Sequence, residues 1–221
     1  IEIDDVIWMG PQPVMKDLAV KAGIKYTASL NHLEEVLSNA IKQKRRIHFI
    51  PPYRAENKIL LERLLGICHD QLSHYASEEL IKAVVAQRSI KELQEINEIE
   101  NFTDVAWEMF NTAMHMAKDG IVEQEIAGVM ESIPLKHGGN ISFTVILSIH
   151  GETLHNHNHS NIMKNGDLLL IDAGAESPRH YATDHTRTIP VGGKFSSKQR
   201  EIYQAVLDAQ REAENVKNCT K

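Results

Sequence analysis

Leu168-Leu-Leu-Ile-Asp172-Ala-Gly-Ala-Glu176 and, after a short polar turn, Ala182-Thr-Asp184-His-Thr-Arg-Thr-Ile-Pro190 are the most informative segments of this chain. Each carries an aspartate beside a short apolar or β-branched run that reads as a buried strand. Gly174 and Pro178 break the chain between them. A hairpin of this kind sets two carboxylates side by side inside a protein. Close, buried carboxylates repel each other unless a cation lies between them. Asp172 and Asp184 therefore read as half of a carboxylate-rich metal site. The competing reading is that one aspartate caps a turn and the other is solvated.

Working outward, the alternation of short strands and helices over residues 1–88 suggests part of a small α/β domain. Ile1–Trp8 reads as a strand running into the turn Gly10-Pro-Gln-Pro13, and Ile47-His-Phe-Ile50 as a second short strand closed by Pro51-Pro52. Helical patterns fall at about Val14–Ala22, with Gly23 as its stop, then at His32–Gln43, Lys58–Cys68 and Ser77–Gln87, with Ser77 as N-cap. The domain boundary is placed near Arg88–Ser89, leaving 89–221 as a second domain of α+β character. There, Leu93, Ile96, Ile99, Phe102, Ala106, Met109, Phe110 and Ala113 recur at helical steps and form one apolar face, ended by Asp119-Gly120. Glu123–Ser132 reads as another helix, Gly138-Gly-Asn140 as a turn and Ile141–Ile149 as a strand. Met109, Met114, Met116 and Met130 read as core filler.

Composition narrows the class. A net charge of −6 over 221 residues argues against nucleic acid as a partner. The one cationic cluster, Lys42-Gln-Lys-Arg-Arg46, reads as a solvated helix end. Two cysteines, Cys68 and Cys219, fit a reducing compartment without a disulfide framework. No apolar run approaches the roughly 18 residues of a membrane span, and no signal peptide is evident. The expectation is a cytoplasmic protein without membrane partners. The opening at Ile1 instead of Met suggests further residues ahead of it.

His150, His155, His157 and His159 lie within ten residues, the last three alternating with asparagine. On an extended segment alternate residues share a face, so His155, His157 and His159 can converge on a metal. One histidine in a substrate pocket, or a solvated loop, fits the same pattern. Other polar groups near the hairpin have plainer readings. His185 on a strand points away from Asp184, Glu176 is a solvated carboxylate, Arg187 makes a structural pair, and Asp167 sits in the turn entering the strand.

The stretch from Gly166 to Gln204 resembles the metallopeptidase family of Xaa-Pro aminopeptidases and prolidases, which share the pita-bread fold with methionine aminopeptidases and creatinase. The resemblance covers both aspartates, the following Thr-Arg-Thr-Ile-Pro-Val, the Gly-Lys-Phe turn and the Gln-Arg-Glu-Ile-Tyr helix start. It extends upstream to Gln87-Arg-Ser-Ile-Lys-Glu-Leu-Gln-Glu-Ile and to Leu154-His-Asn-His. The loop between the aspartates is one residue longer than the commonest form.

The resemblance implies an α/β N-terminal portion (1–88) followed by the first half of a pita-bread domain (89–221). It implies two divalent ions, with Mn²⁺ favoured by an oxygen-rich ligand set and Zn²⁺ or Co²⁺ as other candidates. Asp172 and Asp184 would be metal ligands and His155 the substrate-facing catalytic residue. Peptides with proline at the second position would be the substrates, and the parent protein would be a homo-oligomer. The family completes its site with a histidine and two glutamates from the second half of the domain. The sequence ends at Lys221 without them, so the expectation is a piece of a peptidase, inactive alone and exposing apolar surface. The alternatives are an Xaa-Pro dipeptidase (prolidase) and a non-enzymatic binding protein on the same fold.

Overall fold

The computed structural model describes residues 3–218 and divides the chain into two units, Ile1–Ile90 and Lys91–Lys221. The first is built from helices. Ile3–Met9 is helix α1, where a strand was expected, and Ile1 itself lies outside the described residues. An acidic first turn favours the helix, and Gly10 at φ 73° closes it through its N–H to the Val6 carbonyl (2.9 Å). Helix α2 (Met15–Lys21) stops at Gly23, as expected. There Gly23 donates to Val20 O and Ile24 to Ala19 O, a left-handed cap that only glycine accommodates without strain. A 3₁₀ turn, Leu30–His32, runs into α3 (Leu33–Lys42), and α4 (Ala55–Leu65), α5 (Leu72–Tyr75) and α6 (Glu78–Ser89) follow.

Ile47–Ile50 has no regular secondary structure and belongs to no ladder among the described residues. A lone strand has no stability without a neighbour. Here the segment is held instead by the start of α6: Ser77 N–H donates to Phe49 O (3.0 Å) and the Ser77 hydroxyl meets His48 Nδ1 (2.6 Å). The same hydroxyl accepts from Leu80 N–H (3.1 Å), which is the expected N-cap, and donates to Glu79 (3.0 Å). Arg46, from the cationic cluster, pairs with Glu79 at 2.9 Å.

The second unit begins with α7 (Leu93–Met116) and α8 (Glu123–Lys136). The expected strand Ile141–Ile149 is split into β1 (Asn140–Ile141) and β2 (Ile146–Ser148). Then come β3 (Leu168–Ala173), β4 (Ala175–Glu176), β5 (His185–Pro190) and α9 (Ser197–Asn218). The sheet runs β2-β3-β5, antiparallel throughout, while β1 pairs with β4. Alternation along β3 sends Leu169, Ile171 and Ala173 into the core and leaves Leu168, Leu170 and Asp172 on the other face. The core-facing side meets Met109 and Ala113 of α7 and Ile126 and Met130 of α8, all fully buried. Met114 is exposed, so only part of the methionine set fills the core. Leu93 and Ile96 are exposed as well, and the buried stripe of α7 starts at Phe102.

A backbone N–H, the Ser77 hydroxyl and the Arg46 guanidinium hold the Glu79 carboxyl at about 2, against an ordinary value of 4.5. A carboxyl lowered in the folded state contributes stability above its unfolded value, and that contribution is lost as pH falls through the folded one. Glu79→Gln is expected to lower the melting temperature at neutral pH. Thermal melts between pH 4.5 and about 2 should then fall less steeply for the variant than for the parent chain.

Candidate metal centre

The hairpin ladder sets Asp172 opposite Thr186 and Ala173 opposite His185, and the same register resumes at Glu176 opposite Ala182. One step past His185, Asp184 therefore stands opposite Gly174, diagonal to Asp172 and on the same face. Diagonal neighbours in a ladder are about 7–8 Å apart, within reach of long side chains or a shared cation. His185 falls on the opposite, helix-facing side, with its ring edge-on to Phe110 at 6.4 Å between centroids. It is no partner to Asp184.

Glycine at 174 is dictated by close approach. A Cβ there would run into the Thr183 carbonyl and the Ser142 hydroxyl. Ser142 stitches the crossing, its hydroxyl donating to Thr183 O (2.7 Å) and its N–H to Gly174 O (3.1 Å). The two carboxylates thus project from backbones locked together between them.

Asp172 Oδ1 is buried and accepts no hydrogen bond from any described residue. Asp184 is exposed, and no hydrogen bond or ion pair engages it among the described residues. A buried carboxylate oxygen left without a donor is costly, and two of one sign on one face compound the cost. The donor set fits a hard divalent cation, which would take up these lone pairs. Among the described residues, no group of three histidine, cysteine or carboxylate ligand atoms within 4.8 Å of one another includes Asp172 or Asp184.

His155 sits exposed in the turn that follows β2, and His157 is exposed beside it. His159 is buried instead, its Nδ1 at 2.9 Å from Leu147 O and its carbonyl accepting from Gln124 N–H (2.9 Å). The three histidines therefore do not assemble a metal site. His150 pairs with Glu152 at 3.0 Å.

Sequence reasoning missed what holds this loop. Glu123 is fully buried. Its two oxygens accept from Ile149 N–H (2.7 Å) and Asn161 Nδ2 (3.0 Å), while its own N–H donates to Asn161 O (3.0 Å). An acidic residue opening a helix reads as a solvated favourite of the helix dipole. Only the distant Ile149 and Asn161 make it an anchor. Glu176, expected in solvent, is half-buried and pairs with His180 (3.0 Å). Arg187 donates to Thr186 O and forms no ion pair among the described residues. Asp167 accepts from Lys164 N–H (2.8 Å) in the turn before β3, as read.

The architecture is a partial pita-bread fold. A substrate complex of Escherichia coli aminopeptidase P matches it with a TM-score of 0.76 at 24% identity, over 94% of this chain and 49% of that one. Pseudomonas aeruginosa aminopeptidase matches with a TM-score of 0.78 at 23% identity over the same shares. Residues 97–218 match the model of metallopeptidase family M24, and the chain belongs to that family. A Chaetomium globosum protein named a probable Xaa-Pro aminopeptidase is 29% identical over 218 residues, which is 96% of this chain and 35% of that protein. Xaa-Pro aminopeptidase 1 of Streptomyces coelicolor is 31% identical over 145 residues, 64% of this chain and 30% of that one. The chain thus spans about a third of the length of these curated relatives.

Gly174→Ala should destabilise the chain by about 2 kcal/mol or more, because backbone as well as side chain must give way. Gly128→Ala, on α8 with nothing within 4 Å of the new Cβ, should be neutral or stabilising by up to about 1 kcal/mol. Urea midpoints of the two variants against the parent chain test the contrast.

Proposed function

We propose that these residues act within a metal-dependent aminopeptidase that releases the N-terminal residue ahead of a proline. The observation that carries this reading is the same-face placement of Asp172 and Asp184, with a buried Asp172 oxygen lacking any donor. Family membership and the names of the relatives support it. Asp172 and Asp184 would hold two divalent ions. Carboxylate-rich ligand sets favour manganese, with zinc or cobalt as substitutes. Such a pair, when bound, lowers the pKa of water and polarises the scissile carbonyl.

The chain's own groups do the rest. Asp172, fixed by β3, supplies a rigid ligand. Asp184, exposed at the entry to β5, can turn toward a shared ion without breaking the ladder. His155, on a loop strapped down by Glu123 and His159 but itself exposed, can donate a hydrogen bond to the peptide oxygen as negative charge develops there. The working compartment is proposed to be the cytoplasm. No described helix is long and apolar enough to cross a membrane.

In the full-length protein, Asp184→Ala is expected to abolish tight divalent-ion binding and turnover of Xaa-Pro peptides. His155→Ala should keep the metal and lower kcat by about 10²–10³-fold. Full activity in Asp184→Ala ends the assignment.

The 221 residues alone are expected to bind Mn²⁺ weakly and to turn nothing over, since neither aspartate belongs to a group of three close ligand atoms among the described residues. They should also self-associate through apolar surface such as Ile202, Val206 and Val216 of α9, whereas the parent protein would form a defined homo-oligomer. Sedimentation velocity over a range of concentrations reads this directly, and a concentration-independent monomer contradicts it.

A further inference from the structure

In the first unit, Glu62, Cys68 and His69 bring three different metal-ligating atoms within 4.8 Å of one another. The local fold explains how. Glu62 occupies the last turns of α4. Gly66, in the left-handed conformation (φ 67°, ψ 20°), ends that helix and donates to Glu62 O (2.9 Å). The chain is thereby turned back, and Gln71 N–H on Cys68 O (2.9 Å) holds the return. His69 Nδ1 then meets Glu62 Oε2 at 2.8 Å, while its Nε2 lies 3.2 Å from Asp70 Oδ1.

We infer that Glu62, Cys68 and His69 form a binding site for a thiophilic divalent ion of the Zn²⁺ class. An ordinary ion pair accounts for Glu62 and His69 but leaves the thiol beside them unexplained. A set of one sulfur, one nitrogen and one oxygen suits zinc, with water completing a tetrahedron, and disfavours Mg²⁺ and Mn²⁺. The arrangement of His69 is that of a metal-binding histidine. Nε2 lies beside the Asp70 carboxylate, Nδ1 faces the cluster as the candidate ligating atom, and its present partner Glu62 is itself a ligand. The ion would take the place of the Glu62–His69 contact and bind Cys68 as thiolate, any displaced proton leaving to solvent. Glutamate, thiolate and neutral imidazole together carry the charge that balances a divalent cation. The three side chains reach solvent, so an ion can enter without unfolding the unit. The site shares no residue with the oxygen-rich pair and uses different chemistry.

The test uses the 221-residue chain with Cys219→Ser, so that only Cys68 can supply sulfur, and Co²⁺ as the probe. A near-ultraviolet thiolate-to-cobalt charge-transfer band is expected, accompanied by proton release, because a thiol must lose its proton to ligate the ion. Zn²⁺ should bleach the band. Cys68→Ser and His69→Ala should each remove it. Asp70→Asn should keep its shape while weakening affinity about tenfold. Asp172→Asn with Asp184→Asn should leave it unchanged, which separates this site from the proposed peptidase centre. Absence of the band in the Cys219→Ser chain, or its survival in Cys68→Ser, overturns the inference.

Discussion

The register of β3 on β5 is the constraint from which the rest follows. Because side chains alternate across a sheet, sliding the ladder by one residue would turn Asp172 into the helix-packed core and bring Ile171 out. The fully buried Leu169 and Ile171 oppose that slip, since each would have to leave its place against α7 and α8. At the far end, Gly174 and the Thr183 carbonyl are pressed so closely that no other residue type fits the same register. Apolar burial at one end and steric exclusion at the other fix the direction of both carboxylates. The core thereby selects the geometry of the site.

The loop between β2 and β3 follows a related logic at lower cost. Glu123 sits fully buried with no ion pair among the described residues, satisfied by a backbone N–H and an asparagine amide. His159 is spent on a backbone carbonyl. These polar contacts pin both ends of the histidine-rich segment to the start of α8 and leave its crown, with His155 and His157, in water. Four histidines close in sequence therefore have at least two unlike tasks.

The hairpin, the long helix α7, the Ser77 cap and the Gly23 stop were legible because each rests on local rules: alternation, helical spacing, a capping hydroxyl, a left-handed glycine. The errors came where local signals were weak or ambiguous. Ile1–Trp8 has loose alternation, yet its acidic start and Gly10 stop favour a helix. Ile47–Ile50 has strand composition but depends on a pairing partner that composition does not reveal. The break between β1 and β2 comes at Ser142, whose hydroxyl serves the Gly174 crossing. Asp172 and Asp184 could be singled out from the sequence as candidates, because carboxylates beside strand patterns are visible there. Glu123 could not, since its role is written in Ile149 and Asn161.

Helix α9 shows how unevenly cohesion is distributed along this chain. Its tether lies at the beginning, where Gln199 Nε2 donates to Gly166 O (2.8 Å) and the Tyr203 ring leans on Phe195. Beyond that, the described residues are largely in solvent, supported by local pairs such as Gln204 with Asp208. Helix propagation past an anchored first turn costs little, but it adds little cooperativity with the remainder. The helix is therefore a cantilever: its root is fastened to the turn ahead of β3, and the turns beyond it have little through which to transmit force to the sheet.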